Sequence, residues 1–450
     1  MKQILQRLLD MVEEGTDELV GLHQELVRIP TVNTGAADGG NETEACRLLE
    51  ERMGAEGIPS LTLESAPSRG NLVAHIGEQA RPRLLLMSHT DVVPVDEGRW
   101  KLPPFCGEVV DGTVYGRGSD DCKSLVASGA MALILLKRAG VPLHGELRLL
   151  AAADEESGGR YGIAWLAENH PDEIRADWAI NEGGGRPLRT QDGLVYLVSV
   201  AEKGRLEVRF QVEGRSGHAA LPWAADNANY KLAQLLDRIQ SYQPEIDLSM
   251  ATFEHLPLLG IEERADPGQL DGLLEGLGRR EPSLAGMLMA LSRMTVAPTM
   301  VSSGIKSNSI PALAELTCDV RTLPHQDEAY VRGQLGELLK GIEGSRMDLE
   351  TWAVSNASPF DTPFVSQLKR ATELALHRED ITLVPSACVG FTDSRCVRPL
   401  GAQVYGFAPL TPGSDTVRPG VHGVDEAMEI ENLVLRTKMQ LALAYLTLGG

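Results

Sequence analysis

Cysteine is scarce in this sequence, and this scarcity bears on the cellular compartment in which we expect the protein. The 450 residues include six cysteines, at positions 46, 106, 122, 318, 388 and 396, and no two of them form a Cys-x-x-Cys pair. A secreted disulfide scaffold carries more cysteines in a shorter chain. We therefore expect a reducing compartment, and the cytoplasm is the predicted location.

Long apolar runs are also missing. The longest, around residues 125–136, contains Ser128 and is shorter than the roughly 20 residues that a membrane-spanning helix needs. The first ten residues follow an amphipathic pattern and lack the uninterrupted apolar stretch of a secretory signal peptide. The sequence therefore predicts a buried helix at 125–136 and no membrane partner.

Positive charge is in deficit. The chain has 42 lysines and arginines against 63 aspartates and glutamates, so its net charge is −21. An acidic surface repels phosphate backbones, and neither a dinucleotide-binding fingerprint nor a P-loop is present. A nucleic-acid partner is therefore not expected, while 43% hydrophobic and 23% charged residues are typical of a globular protein.

The chain is too long for one hydrophobic core, so at least two domains are predicted. Strand patterns at 71–76, 84–87, 146–153 and 178–180 alternate with helix patterns at 42–53, 123–139 and 161–168. This order favours an α/β domain with an open, mostly parallel sheet between helices.

The pattern changes near residue 204. Strands with alternating polar and apolar residues are predicted at 205–213, 314–321 and 347–354, with helices at 227–242 and 328–341 and a helical stretch at 258–294. Helix–strand alternation resumes from 363. We therefore predict a first domain made of residues 1–203 and 357–450, with a second α+β domain of residues 204–356 inserted into it.

Acidic residues and histidines gather where predicted strands of the first domain end, which is where open α/β sheets bind ligands. Nitrogen and oxygen donors of this kind suit zinc, cobalt or manganese. The candidates are His89 and Asp91 after the strand at 84–87, the two aspartates at 120–121 before a helix, the acids at 154–156, Glu182, and His422 near the end of the chain.

Each candidate has an ordinary alternative when it is taken singly. His89 and Asp91 could be a strand-end histidine and the turn aspartate that caps it. An aspartate at a helix start is often an N-cap, although two adjacent aspartates exceed what one cap needs. The acids at 154–156 could lie in a solvated loop, but near a core they repel one another unless a cation is present.

As an ordered set, the motifs resemble the M20 metallopeptidases. The set is His-x-Asp at 89–91, Gly-Arg-Gly-x-x-Asp-x-Lys at 116–123, Asp-Glu-Glu at 154–156, Glu-Gly at 182–183 and the late His422. This family includes aminoacylase, acetylornithine deacetylase, succinyl-diaminopimelate desuccinylase, glutamate carboxypeptidase and carboxypeptidase S. The resemblance covers nearly the whole chain. It implies a zinc-exopeptidase-like catalytic domain whose insertion is a lid and dimerisation domain with an antiparallel sheet and helices.

The resemblance also implies a site for two divalent ions, most readily Zn²⁺, with Co²⁺ or Mn²⁺ as alternatives. Asp121 would bridge the two ions, Asp91 would orient a ligand histidine, and Glu155 would be the general base. In this family the peptide bond after the bridging aspartate is often cis, which is expected here between residues 121 and 122. The residues that correspond to the family's metal ligands are His89, Asp121, Glu156, Glu182 and His422.

Four further segments resemble substrate-binding parts of the family. Residues 214–222 resemble its Gly-His-Ser-x-x-Pro segment, in which the histidine, here His218, polarises the scissile carbonyl, commonly in the partner subunit's site. Asn308 and Arg321 resemble substrate-clamping residues, and Gly390 and Thr392 belong to a segment similar to a Gly-rich substrate loop. Without the resemblance, each residue has an ordinary alternative. His218 could be a turn histidine, and Arg321 could form an ion pair on the surface of a strand.

The activity implied is hydrolysis of an amide or peptide bond beside a free carboxylate, in dipeptides or N-acyl amino acids, by a homodimer formed through the inserted domain. One alternative function is that of a two-zinc aminopeptidase without a lid. The inserted domain and His218 argue against this alternative. Another is a non-catalytic binding protein on a decayed hydrolase fold. That reading predicts a missing base or ligand, and none is missing.

Overall fold

A computed structural model describes residues 2–36, 39–78, 81–190, 193–414 and 420–449. Up to residue 203 the helices are α1 (Lys2–Glu14), α2 (Thr16–Arg28), α3 (Glu42–Ala55), α4 (Lys123–Ala139), α5 (Ile163–Asn169) and α6 (Pro171–Ile174). The strands of this part are β1 (Ser60–Glu64), β2 (Gly70–Gly77), β3 (Arg83–His89), β4 (Glu108–Val110), β5 (Thr113–Tyr115), β6 (Glu146–Ala152), β7 (Trp178–Gly184), β8 (Pro187–Thr190) and β9 (Gly193–Glu202).

The remaining elements complete the chain. Between residues 204 and 353 they are β10 (Gly204–Glu213), β11 (Gly217–His218), α7 (Ala228–Ser241), α8 (Leu270–Gly278), α9 (Pro282–Leu291), β12 (Thr295–Ser303), β13 (Ser309–Ile310), β14 (Leu313–Thr322), α10 (Glu328–Leu339) and β15 (Ser345–Ala353). After them come β16 (Asn356–Ala357), α11 (Pro363–Leu376), β17 (Ile381–Cys388), α12 (Ser394–Val397), β18 (Gln403–Phe407), β19 (Ala427–Glu429) and α13 (Ile430–Leu448).

The large sheet is mixed, with its parallel strands at the centre. Its order is β1-β2-β6-β3-β7-β18-β9-β16, and β17 and β8 also pair with β9. β6, β3, β7 and β18 are parallel neighbours, while β1 and β2 extend the sheet in antiparallel fashion. The predicted α/β class is therefore confirmed, and the carboxyl ends of β6, β3 and β7 meet at one edge.

Helix α4 packs behind this sheet, against β3, β6 and helices α2 and α13. Its apolar run is buried from Lys123 to Leu136, and the helix ends before Gly140, which has a left-handed φ of 61° that suits glycine. The prediction of a buried helix here is confirmed. Among the described helices, none has the length and apolarity needed to cross a membrane.

A second, four-stranded sheet lies in the inserted region. Its order is β12-β14-β10-β15, and all its pairs are antiparallel. Burial alternates along β10 and β14, so one face packs with α7 and α10 around a core of its own that includes Val208, Phe210, Leu235 and Leu335.

The helical stretch between α7 and β12 packs elsewhere. Phe253, Leu274 and Leu288 join the core of the large-sheet domain rather than the core of the inserted sheet. The Thr252 hydroxyl donates a hydrogen bond to a carbonyl oxygen of β17 at 2.9 Å. The buried amine of Lys203 donates to two carbonyl oxygens at the end of α9 and just beyond, at 2.6 and 2.7 Å. The chain therefore leaves the inserted sheet after α7 and returns to it at β12, while the boundaries at 204 and 356 stay predictions.

Candidate metal centre

Five elements deliver the five predicted metal ligands to the carboxyl edge of the large sheet. His89 is the last residue of β3, and Glu182 lies near the end of its neighbour β7. Glu156 lies in a short 3-10 helix, Glu155–Ser157, directly after β6. Asp121 occupies the loop between β5 and α4, and His422 lies in the loop before β19. His89, Glu156 and Glu182 meet because the parallel strands β3, β6 and β7 end together, and the loops before α4 and β19 bring Asp121 and His422 to the same edge.

The side chains form two groups that share Asp121. One group contains ligand atoms of His89, Asp121, Cys122 and Glu182, and the other those of Asp121, Glu156 and His422, with all atoms of a group within 4.8 Å of one another. The Asp121 Oδ1 atom lies 3.0 Å from His89 Nε2, and Oδ2 lies 3.3 Å from His422 Nε2. Two oxygens of one carboxylate thus face two different groups, as a bridging ligand requires.

Asp91 holds both His89 and the acidic turn that follows β6. The Nδ1 atom of His89 lies 3.0 Å from the Asp91 carbonyl oxygen and 3.3 Å from its carboxylate. The same carboxylate accepts hydrogen bonds from the backbone N–H groups of Glu155 and Glu156 at 3.0 and 3.1 Å. A ligand histidine needs its second ring nitrogen held in this way. The buried Asp91 therefore holds the His89 ring and the backbone of Glu155 and Glu156.

A buried ionic network holds the acidic turn that follows β6, residues 154–156. Asn33 donates to Asp91 at 2.7 Å and to Asp154 at 3.0 Å. Arg69 is fully buried and pairs with Asp154 at 2.8 Å and with Glu42 at 2.9 Å. These contacts hold Asp154 in a left-handed conformation with a φ of 65°, which is uncommon for a residue other than glycine. Sequence reasoning missed Asn33, Arg69 and Glu42, which lie outside the motifs.

Glu426 holds the loop that carries Asp121. Its buried carboxylate accepts hydrogen bonds from the backbone N–H groups of Gly118, Asp120 and Asp121 at 2.9 to 3.1 Å and pairs with Arg117 at 2.6 Å. The peptide bond between Asp121 and Cys122 is cis, as predicted. Glu426 received no role from the sequence, although it lies four residues after His422.

Negative charge is concentrated at this edge. Burial raises the pKa of Glu182 to about 7, with the charge of Asp121 adding to the effect. Burial, with the charge of Glu182 second, raises the pKa of Glu155 well above its usual range. Hydrogen bonds to Asp121 and Glu156 raise the pKa of His422 to about 10. Acids so crowded are stabilised by cations, so the donor set of imidazole and carboxylate fits divalent metal ions.

Comparison with known proteins decides the family. Residues 85–445 match the family described as Peptidase family M20/M25/M40. The chain belongs to this family. The predicted resemblance is thus confirmed, and the M20 chain is a hydrolase of the peptidase type.

Individual relatives differ in their activities. The N-fatty-acyl-amino acid synthase/hydrolase PM20D1.1 of Danio rerio is 29% identical over 451 residues, covering 93% of this chain and 84% of that protein. A probable succinyl-diaminopimelate desuccinylase of Staphylococcus epidermidis is 26% identical over 411 residues, covering 90% and 92%. The fold is similar to that of the M20 family metallo-carboxypeptidase Sso-CP2 from Sulfolobus solfataricus, with a TM-score of 0.71, 19% identity, and 96% and 99% of the two chains covered.

The predicted substrate residues of the inserted region belong to neither donor group found among the described residues of this M20 chain. His218 and Asn308 are exposed, and the strands that carry or flank them, β11 and β13, pair with each other. Within the described ranges, no hydrogen bond or ion pair joins either residue to the five ligands. Arg321 forms an ion pair with Asp319 at 2.6 Å, and its guanidinium lies 5.8 Å from the centre of the Phe391 ring.

The loop that contains Gly390 and Thr392 was expected to contact the substrate, but the Thr392 side chain is directed into the protein. Thr392 is buried, its N–H donates to Glu202 at 3.0 Å, and its hydroxyl accepts from Asn181 at 3.0 Å. Thr392 therefore anchors the loop to Glu202 and Asn181. The next residue, Asp393, is buried, and one of its oxygen atoms has no hydrogen-bond partner among the described residues. Burial raises the pKa of Asp393 to about 8. The sequence analysis gave Asp393 no role, although it lies next to Thr392.

A small cavity of about 160 Å³ opens beside the centre. Asp121, Cys122 and Glu182 form one wall, and Leu125 and Arg186 are also in its lining. The cavity therefore combines candidate metal ligands, an apolar side chain and a cation in one small space.

Proposed function

We propose that this M20 chain is a two-metal hydrolase that cleaves an amide or peptide bond in small carboxylate-bearing substrates. The observation that supports this most strongly is the position of Asp121, whose two carboxylate oxygens belong to two separate donor groups. In the proposal, His89 and Glu182 complete one metal site, and Glu156 and His422 complete the other.

Zinc is the ion that we propose for both sites, with cobalt or manganese as substitutes. Imidazole and carboxylate donors are typical of catalytic zinc, and the excess of acids at the edge supplies the charge that two divalent ions need. Bound there, the ions would lower the pKa of a water molecule and polarise a carbonyl group. The protein supplies the rest of the chemistry.

Glu155 is the proposed general base. Its backbone N–H is held by the Asp91 carboxylate at 3.0 Å. Burial, with the charge of Glu182 second, raises the pKa of Glu155, and a carboxylate with a higher pKa is a stronger base. In the proposal the Glu155 carboxylate takes a proton from water and delivers it to the leaving amine.

The substrates that we propose are N-acyl amino acids and dipeptides. The named activities of the Danio rerio and Staphylococcus epidermidis relatives both concern acylated amino acids. Arg321 is proposed to bind the substrate carboxylate in a bidentate pair, which requires that it exchange Asp319 for substrate. Asn308, Gly390 and Thr392 are proposed to shape the same pocket, with Thr392 acting through the loop.

We further propose a homodimer in which His218 serves the partner's site. Strand β12 forms an open edge of the inserted sheet, and Met300 and Val301 on this strand are 68% and 59% exposed. An exposed apolar edge strand is a template for pairing with a second chain. This proposal explains why His218 is exposed on its own chain.

A reducing compartment, the cytoplasm, is also proposed. All six cysteines are free thiols, and three of them, Cys46, Cys122 and Cys318, are buried. Free thiols persist where glutathione and thioredoxin keep them reduced.

The test is an assay of the zinc-loaded chain with matched N-acyl amino acids, dipeptides and amino acid amides. We expect turnover of the first two classes only. Cleavage of the amides, which lack a free carboxylate, would favour the aminopeptidase alternative. A chain that binds metal and every substrate without turnover would be the binding protein of the second alternative.

A further inference from the structure

Cys122 occupies a place in the centre that neither the motifs nor the proposed mechanism uses. Its sulfur atom belongs to the first donor group, within 4.8 Å of ligand atoms of His89, Asp121 and Glu182. The side chain is 1% exposed. Its apolar neighbours in the small cluster are Leu125 and Ala408.

The two donor groups therefore differ in chemistry. The group with Glu156 and His422 offers nitrogen and oxygen atoms only, whereas the group with His89 adds a sulfur atom. Sulfur is a soft donor that favours zinc and other thiophilic ions over manganese and magnesium. One nitrogen, two oxygen atoms and one sulfur atom also supply the four ligands of a tetrahedral site.

We propose that Cys122 is the fourth ligand of the metal held by His89, Asp121 and Glu182, so that this site selects thiophilic ions while the other does not. The proposal rests on the proposed two-metal function and deepens it. On binding, the sulfur–hydrogen bond of the thiol breaks, a sulfur–metal bond forms, and the proton leaves to solvent. No electron is transferred.

The position of Cys122 favours metal binding over a role as a nucleophile. Its side chain is 1% exposed and its sulfur lies among the ligand atoms, so its proposed role is to hold the ion and not to attack the substrate. A thiolate donor reduces the effective positive charge of the first ion more than a neutral donor does. The second ion, with nitrogen and oxygen donors only, would then be the stronger Lewis acid of the pair.

The test is the absorption spectrum of the metal-free full chain titrated with Co²⁺ alone. A thiolate bound to Co²⁺ gives an intense near-ultraviolet charge-transfer band, which nitrogen and oxygen ligands do not give. We expect the band to appear with one of the two equivalents of Co²⁺ and to disappear in Cys122→Ser. The variant should also lose its preference for Cd²⁺ over Mn²⁺ at this site, because the thiolate is the only soft donor of the group.

A matched control separates this site from adventitious binding to another thiol. Cys388→Ser removes a half-buried cysteine of β17 that belongs to neither donor group found among the described residues. This control variant should retain the charge-transfer band. Binding of two equivalents of Co²⁺ without the band, or a band that survives Cys122→Ser, would overturn the inference and leave the proposed function intact. A chain that binds no Co²⁺ at all would overturn both. Absence of the band from the wild type would overturn the inference even where Cys122→Ser folds poorly, and Cys122→Ala, which also lacks the thiol, then tests the assignment of a band that is present.

Discussion

Glu155 lies beside more negative charge than a protein interior tolerates without a cation. If it is the general base, Glu155→Gln removes proton transfer but preserves shape and the hydrogen bond from its backbone to Asp91. We expect both metal ions to stay bound and kcat to fall by about 10²–10⁴-fold. Metal analysis and steady-state kinetics of the same preparation measure the two effects.

The exposed Glu168 of α5 supplies the control, since Glu168→Gln removes the same charge away from the centre. It should leave kcat unchanged. Wild-type turnover in Glu155→Gln would remove Glu155 from the role of base.

His23 makes the folded chain sensitive to acid. It is buried beside the Ser119 carbonyl, 2.8 Å away, and burial lowers its pKa from 6.5 to about 3, while the charges of Arg436 and Lys123 act in the same direction. Between these pH values the unfolded chain binds a proton that the folded chain does not, so the free energy of unfolding falls as the pH falls below 6.5. From pH 6.5 to 5 the loss from this group is about 2 kcal/mol.

The prediction is tested by urea unfolding of wild type and His23→Gln at several pH values. Glutamine can still donate to the Ser119 carbonyl but does not titrate. The slope of stability against pH should be smaller in His23→Gln by about 1 kcal/mol per pH unit over this range, and unchanged in the exposed control His144→Gln. Parallel curves for wild type and His23→Gln would refute the assignment.

The candidate site was predictable at the residues that lie next to strand ends. His89, Glu156 and Glu182 lie at or just after strands whose apolar patterns are plain. Asp121 and His422 lie in loops, and only the ordered motifs that identify the family pointed to them. The buried partners were not predictable. Arg69 meets Asp154 and Glu42 only in the folded chain, and a charge that folding buries has the same appearance in a sequence as one on the surface.

Elements were predictable where the pattern was strong. The helix over 123–139 and the strand that ends at His89 have long apolar runs, and the structure has both. Strand β9 was missed because its buried apolar run has no clear period. Strand β12 was missed because Pro298 lies inside it, and the ladder shifts register there, as prolines at sheet edges allow.

The helical stretch from 251 to 291 should stabilise the large-sheet domain and not the inserted sheet. Leu288 of α9 is fully buried in the large-sheet core, so Leu288→Ala should lower the free energy of unfolding by about 2–5 kcal/mol. Hydrogen exchange should quicken at the amides of β17 and stay slow at those of β14. Leu335→Ala, in the core of the inserted sheet, should give the opposite pattern. Faster exchange at β14 in Leu288→Ala would contradict this packing.

At the scale of the whole molecule, the open edge of β12 is the proposed dimer contact. Met300→Lys places a charge on this edge, where two copies would meet, and should convert the dimer to a monomer in sedimentation experiments. Leu61→Lys is the matched control, because β1 is also an edge strand and Leu61 is 47% exposed. It should leave the dimer unchanged. A monomeric wild type, or a Met300→Lys variant that stays dimeric, would refute the proposed contact.

The Asp121 carboxylate is proposed to join two metal sites, and equilibrium dialysis against Zn²⁺ measures how many ions the chain binds. We expect two bound ions per wild-type chain, one after His422→Ala because only the second group loses a ligand, and severely weakened binding at both sites after Asp121→Ala. One ion per wild-type chain, or an Asp121→Ala variant that binds two ions with wild-type affinity, would contradict this proposal.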